Sequence, residues 1–283
     1  RSRMITFNNT KTLLELVKNI GKEFENNVFL RYERDDTIFE KGYGTFSMDT
    51  MSVAVYIEGQ NKKAGHKIHA AVLGKCSYEY LTVLLGVPCG GGVSIPMDVK
   101  LTAQKMAENL KKADTDILFY DYSFSSQADE LRELCPFIKR FICLQTGKNS
   151  RNVPIMHKVF RGETVKEKIN PDMCAMIIFT SGTTGHGKGV MLSHANLIDN
   201  MFCTDDAKEV CLNVLPIHHI FCISSDVLLA LTEKNSGEYR KKLLGRTVKV
   251  LLEEESTIGG TTYLAGHTRE YVKVAVAPET AAA

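Results

Sequence analysis

What this chain lacks narrows it before any motif is read. Its eight cysteines include no C-x-x-C pair and most stand inside apolar runs, which excludes a redox dithiol motif and speaks against a disulfide framework or a zinc site. Reduced core thiols in a cytoplasmic protein are the expectation. No apolar segment follows the opening Arg1-Ser2-Arg3-Met4, so no signal peptide is expected, and Met4 reads as a natural start. No run approaches the roughly 20 apolar residues that a membrane-spanning helix needs. Neither sign of charge dominates: the net charge is +2 with 24% charged residues, which gives no case for a strong polyanion-binding field or an acidic partner. A metal site is not expected either, because the adjacent His218 and His219 point to different sides of any regular element.

What is present is an ordinary globular composition, 283 residues with 44% hydrophobic, enough for one large or two smaller packed domains. The chain is organised around residues 173–200. An apolar run at 175–179 reads as a buried strand and discharges into Thr180, Ser181, Gly182, Thr183, Thr184, Gly185, Gly187, Lys188 and Gly189, after which helical periodicity resumes. Glycines at that density let backbone N–H groups turn inward around an anion. The hydroxyls of Thr180, Ser181, Thr183 and Thr184 add neutral donors, and Lys188 adds a point charge suited to terminal phosphates. A P-loop reading accommodates Gly182, Gly187 and Lys188 but fails at Gly189, where the hydroxyl that would hold Mg²⁺ should stand.

The order hydroxyl-Ser-Gly-hydroxyl-Thr-Gly, two residues, Lys-Gly instead resembles the signature loop of the adenylate-forming (AMP-binding) superfamily, of the acyl-CoA synthetase kind. One position departs from it: Gly187 stands where the family usually has proline, which loosens the loop. The resemblance runs from about residue 12 to about residue 231. Softer matches fall in the family's order at Ser77-Tyr-Glu-Tyr80, at 90–98 and at 113–119. Alternating helix and strand patterns through this region predict a doubly wound α/β domain with a mostly parallel sheet. Strands are expected at 28–32, 67–73, 93–95, 117–120 and 141–144. Helices are expected at 12–24, from Asp49 toward Gln60, and at 78–85, 102–113 and 127–134, with Ala103, Met106 and Leu110 inward. Gly90 to Gly92 read as a tight helix-to-strand connection. Ser193 is placed to cap a helix at 194–201.

The segment Leu215-Pro-Ile-His-His-Ile-Phe221 resembles the superfamily's second adenylation motif, and the flanking Pro216 and Phe221 select His219 as the residue beside the substrate carboxylate. The resemblance implies ATP-dependent adenylation of a carboxylic, fatty acid, with CoA as co-substrate and Mg²⁺ whose ligands cannot be assigned. Lys188 and His219 take the catalytic roles; Thr180, Ser181, Gly182, Thr183, Thr184, Gly185, Lys188 and Gly189 bind the nucleotide phosphates.

At about Leu231 that pattern ends. The family's later adenine, ribose and lysine motifs find no match in 232–283, so a truncated adenylation domain (1–231) of impaired activity is expected. Residues 232–237 read as a linker or fusion junction. Beyond it, 244–255 and 271–276 alternate like strands around a Gly259-Gly260 turn. The run 263–276 resembles part of the RNA-binding (TRAM-like) module of tRNA methylthiotransferases. That implies a β-rich, partial barrel-like tail at 238–278, followed by a disordered end at 279–283. Arg246, Lys249, His267, Arg269, Tyr271 and Lys273 would then meet RNA weakly, with Glu253, Glu254 and Glu255 opposing them. No iron–sulfur cysteine triad precedes the tail, so the methylthiotransferase reaction itself is excluded. The alternative to an enzyme is a non-catalytic nucleotide- or RNA-binding fusion.

Overall fold

The computed structural model describes residues 10–34, 37–145, 165–180, 188–202, 250–258, 261–268 and 273–276. They belong to two compact units, Arg1–Lys234 and Asn235–Ala283.

In the first unit, α1 (Leu13–Glu23) begins at a reciprocal cap: Thr12 accepts the Glu15 N–H, and the Glu15 carboxylate accepts the Thr12 N–H. Such a cap is worth about 1 kcal/mol, and the helix buries Leu13, Leu16, Val17 and Ile20. A hairpin of β1 (Val28–Arg34) and β2 (Thr37–Gly42) follows. Helix α2 (Tyr43–Ala64) starts six residues before Asp49, so Asp49 is not its cap. Gly42 enters the helix in extended conformation without a side-chain cap. The Asp49 carboxylate instead accepts a hydrogen bond from the Tyr78 hydroxyl at 2.6 Å.

The main sheet has six strands in the order β6-β5-β3-β4-β7-β8. These are β3 (His69–Leu73), β4 (Val93–Pro96), β5 (Ile117–Tyr120), β6 (Arg140–Cys143), β7 (Cys174–Thr180) and β8 (Lys188–Ser193). The first five run parallel, and β8 returns antiparallel to β7. Helices α3 (Tyr78–Cys89), α4 (Ala103–Lys112) and α5 (Ser125–Leu134) make the crossovers between β3 and β6. This is the α/β architecture with a mostly parallel sheet. Side-chain alternation divides each strand between two cores. Ala70 and Val72 of β3 and Ile117 and Phe119 of β5 pack with α1, α2 and α3, whereas Ala71, Leu73, Leu118 and Tyr120 pack with α4 and α5. Ala103, Met106 and Leu110 line the second core as their spacing requires.

The turn from α3 to β4 is tight because α2 crosses it. A Cβ on Gly90 would stand 2.2 Å from the Ala54 carbonyl oxygen, and Gly91 adopts a left-handed φ of 75°. Asn61, buried in α2, locks the crossing: it donates to the Gly90 carbonyl at 2.9 Å and accepts the Ile68 N–H at 2.7 Å.

The second unit contains a three-stranded antiparallel sheet in the order β11-β10-β9, with β9 (Val250–Ile258), β10 (Thr261–Thr268) and β11 (Lys273–Val276). Strand β9 coincides with the expected 244–255 stretch over 250–255 and runs on to Ile258, the earlier part lying outside the described residues, and β10 carries a register shift against it between Ala265 and Gly266.

Candidate functional site

The phosphate-loop residues are organised by the β7–β8 hairpin. Its apolar Ala175-Met-Ile-Ile-Phe179 segment is buried at Ala175 to Ile178, while β8 exposes Lys188, Gly189, Val190 and Met191. Helical periodicity therefore does not resume directly after the loop; a six-residue strand comes first. The register pairs Ile178 with Val190, Phe179 with Gly189 and Thr180 with Lys188. Thr180 Oγ1 donates to the Lys188 carbonyl at 3.5 Å, so the two residues close the strand pair and residues 181–187 connect them. Gly189 is glycine for a packing reason as well: a Cβ there would meet Ile177 Cγ2 at 3.1 Å and Phe179 Cε1 at 3.4 Å.

Thr180, Lys188 and Gly189 are thus brought together at the carboxyl end of a strand whose other neighbour, β4, is parallel to it. Ligands of open α/β sheets bind beyond that end of the strands. An exposed primary ammonium and a hydroxyl at the mouth of a glycine-rich connection can meet a polyphosphate without desolvating either group first. Ser181, Gly182, Thr183, Thr184 and Gly185 lie outside the described residues, and so does His219. Among the described residues no group of three or more His, Cys, Asp or Glu is placed to hold a metal ion.

At the other end of the hairpin stands a residue to which no motif assigns a site role. Helix α6 (His194–Phe202) begins directly after β8, and Ser193 caps it reciprocally with Asn196: Ser193 Oγ accepts the Asn196 N–H, and Asn196 Oδ1 accepts the Ser193 N–H, each at 3.1 Å. His194 is fully buried. Its Nδ1 accepts the Leu13 N–H of α1 at 3.2 Å, which leaves the ring proton on Nε2. Nε2 has no hydrogen-bond partner among the described residues. Burial pushes the imidazole pKa down to about 4, against a weaker opposing pull from Glu15. The backbone at this point is fastened too: His194 N–H donates to the Met173 carbonyl at 3.2 Å and Ala195 N–H to the Pro171 carbonyl at 2.9 Å.

The family model for AMP-binding enzymes matches residues 21–236. The chain belongs to the AMP-binding enzyme family. It is 26% identical over 182 residues to the peroxisomal OPC-8:0-CoA ligase 1 of Arabidopsis thaliana, covering 62% of this chain and 33% of that protein. It is 28% identical over 158 residues to the D-alanine–D-alanyl carrier protein ligase of Streptococcus equi, covering 56% and 28%. In structure it resembles a fatty acyl-adenylate ligase from L. pneumophila, solved with acyl adenylate and pyrophosphate, at a TM-score of 0.60 and 19% identity over 82% of this chain and 40% of that one. The chain spans about a third of the length of the two curated relatives named here.

Arg246, Lys249, Arg269 and Tyr271 lie outside the described residues. Lys273 opens β11 opposite His267 of β10, and the comparisons lend the TRAM-like resemblance no support.

Proposed function

We propose that this chain carries the phosphate-holding part of an enzyme that activates a carboxylic acid with ATP. The observation behind the reading is the β7–β8 hairpin, whose last pair is Thr180 and Lys188 and whose connection holds the hydroxyls and glycines of 181–187. In the reaction a carboxylate oxygen attacks the α-phosphorus of ATP, the bond from that phosphorus to the α,β-bridging oxygen breaks, and pyrophosphate leaves with that oxygen. Lys188 and the 180–185 segment hold the departing phosphates and neutralise their charge. His219 borders the acyl group. A thiol, that of CoA, then attacks the acyl-adenylate carbonyl and AMP departs. Mg²⁺ enters with the nucleotide and is assigned no ligand from this chain.

A fatty acid is our preferred substrate, supported by a structural relative that holds an acyl adenylate; the D-alanine ligase among the relatives argues for testing small acids beside it. A reducing, cytoplasmic setting is our reading, supported by the burial of the Cys89, Cys135 and Cys143 thiols in the apolar core. No described helix is long and apolar enough to cross a membrane. We read 232–237 as the junction between the adenylation part and a tail of separate origin, supported by the division of the chain at Lys234.

The test is ATP–pyrophosphate exchange with short, medium and long carboxylic acids, using Lys188→Ala as control. Exchange that requires an acid and falls by about 100-fold in the variant is expected, on the scale of losing one charge-stabilising donor. Exchange that ignores the acid, or survives the substitution, would overturn the reading.

A further inference from the structure

We propose that His194 is a positioning residue for the phosphate hairpin, tying its exit to the first turn of α1 so that Lys188 is presented in one place. The inference rests on the reading of that hairpin as the phosphate site. It starts from the sites of attachment. Entry and exit of the hairpin are joined by the His194-to-Met173 and Ala195-to-Pro171 hydrogen bonds; among the described residues the imidazole extends this joint by a hydrogen bond to Leu13, 181 residues away in sequence, beside the apolar packing of Leu197 and Ile198 in the first core.

The register shows why such a joint matters. The strands pair Cys174 with Ser193 at the base but Met176 with Leu192 above it, so one residue is inserted between Cys174 and Met176. A bulge is a place where two registers meet, and each register would aim the end of β8 differently. The remaining hold on the base is non-directional packing of Leu192, Leu197 and Ile198 on the first core, which does not choose between registers, and among the described residues β8 has one strand neighbour with its middle exposed, Met191 at 66%. The Leu13 N–H is itself one of the amides at a helix start that no intrahelical carbonyl can satisfy. His194 therefore serves two ends at once, capping α1 and anchoring the hairpin, and it does so as a neutral acceptor in a dry place. That explains a buried imidazole at this point better than packing alone, since a leucine would fill the volume and leave the Leu13 N–H without a partner.

The experiment compares wild type, His194→Asn and His194→Leu in the full chain by amide hydrogen exchange and by calorimetric titration with inorganic pyrophosphate and magnesium. The asparagine carbonyl sits where Nδ1 does and can accept the Leu13 N–H. Slow exchange at Leu13 and at 188–190 is expected to persist in His194→Asn, with pyrophosphate affinity within about twofold of wild type. In His194→Leu both are expected to be lost, the affinity by about tenfold, the scale of a small misplacement of a binding group. Should the leucine variant fail to fold, His194→Gln takes its place, because its amide lies at the Nε2 position and does not reach Leu13. A variant that frees Leu13 yet leaves exchange at 188–190 and pyrophosphate affinity unchanged would overturn the proposal. If wild type itself binds no pyrophosphate, the functional reading falls, and the exchange at 188–190 alone decides whether His194 holds the hairpin.

Discussion

Strands β3 and β8 belong to one sheet and differ in almost everything that sets stability. β3 has a parallel neighbour on each side and buries Ala70 to Leu73 completely. Among the described residues β8 pairs on one side only and leaves Lys188 to Met191 open. The Lys188 ammonium, to which we assign the phosphate contact, therefore sits on the part of the sheet that contributes least to holding it together. A phosphate site needs reach and hydration more than burial, and a buried wall behind it supplies the rigidity. If this division is real, substitutions in the wall should cost stability, and substitutions on β8 should cost function or nothing.

The largest effect is expected in the wall. Phe119, fully buried in β5 against the first core, should lose about 4 kcal/mol on Phe119→Ala, transfer and cavity terms together; urea unfolding measures it. A loss below about 1 kcal/mol would mean that the wall is not the stable partner in the comparison. Next comes Asn61→Ala. It would strand the Ile68 N–H and the Gly90 carbonyl inside the α2–α3 crossing and should cost about 3 kcal/mol, since each unpaired buried group carries its own desolvation penalty.

The same division shows in what the sequence could reveal. β5 was legible because four apolar residues, Ile117 to Tyr120, are all buried and all β-compatible. α4 was legible because Ala103, Met106 and Leu110 repeat at helical spacing. β8 was not, because Lys-Gly-Val-Met-Leu-Ser alternates neither cleanly nor at a helical period, and an exposed edge strand imposes little pattern. The start of α2 was missed for a different reason: Gly42 leaves no cap signature, and Asp49, which looks like one, answers to Tyr78 29 residues away. His194 was invisible as an anchor because its partner is at the opposite end of the domain. The loop motif itself was readable as a family resemblance from residue types alone, because its order of hydroxyls, glycines and Lys188 is local in sequence, and the family match over 21–236 includes it.

His194 marks the border between wall and hairpin, and its titration gives the third prediction. Its folded pKa of about 4 lies below the ordinary value of 6.5 because burial disfavours the cation. Above pH 6.5 the ring is neutral in both folded and unfolded chains, and stability is unaffected. Between pH 6.5 and 4 the unfolded chain binds a proton that the folded one refuses, so stability falls as pH falls, by about 3 kcal/mol in all. Below pH 4 both forms are protonated and this contribution changes no further. Urea unfolding across that range should show the decline in wild type and lose this part of it in His194→Asn. An identical pH profile in the variant would place the ring in contact with water.

The smallest expected effect is the sharpest test of the comparison. Met191 is the more exposed of the two large apolar residues open on β8, at 66% against 43% for Val190, and faces Ile177 in the register. Met191→Thr removes apolar surface that water already reaches and substitutes a residue with good strand propensity. The change in unfolding free energy should stay within about 0.5 kcal/mol, and pyrophosphate affinity should be unaltered, because the backbone pairing that carries Lys188 does not involve the side chain. A loss of 2 kcal/mol or more would mean that Met191 is covered in solution by another part of the chain or by a second molecule. The hairpin would then belong to a second core, and the contrast between a stable wall and an open functional strand would have to be redrawn with β8 on the stable side.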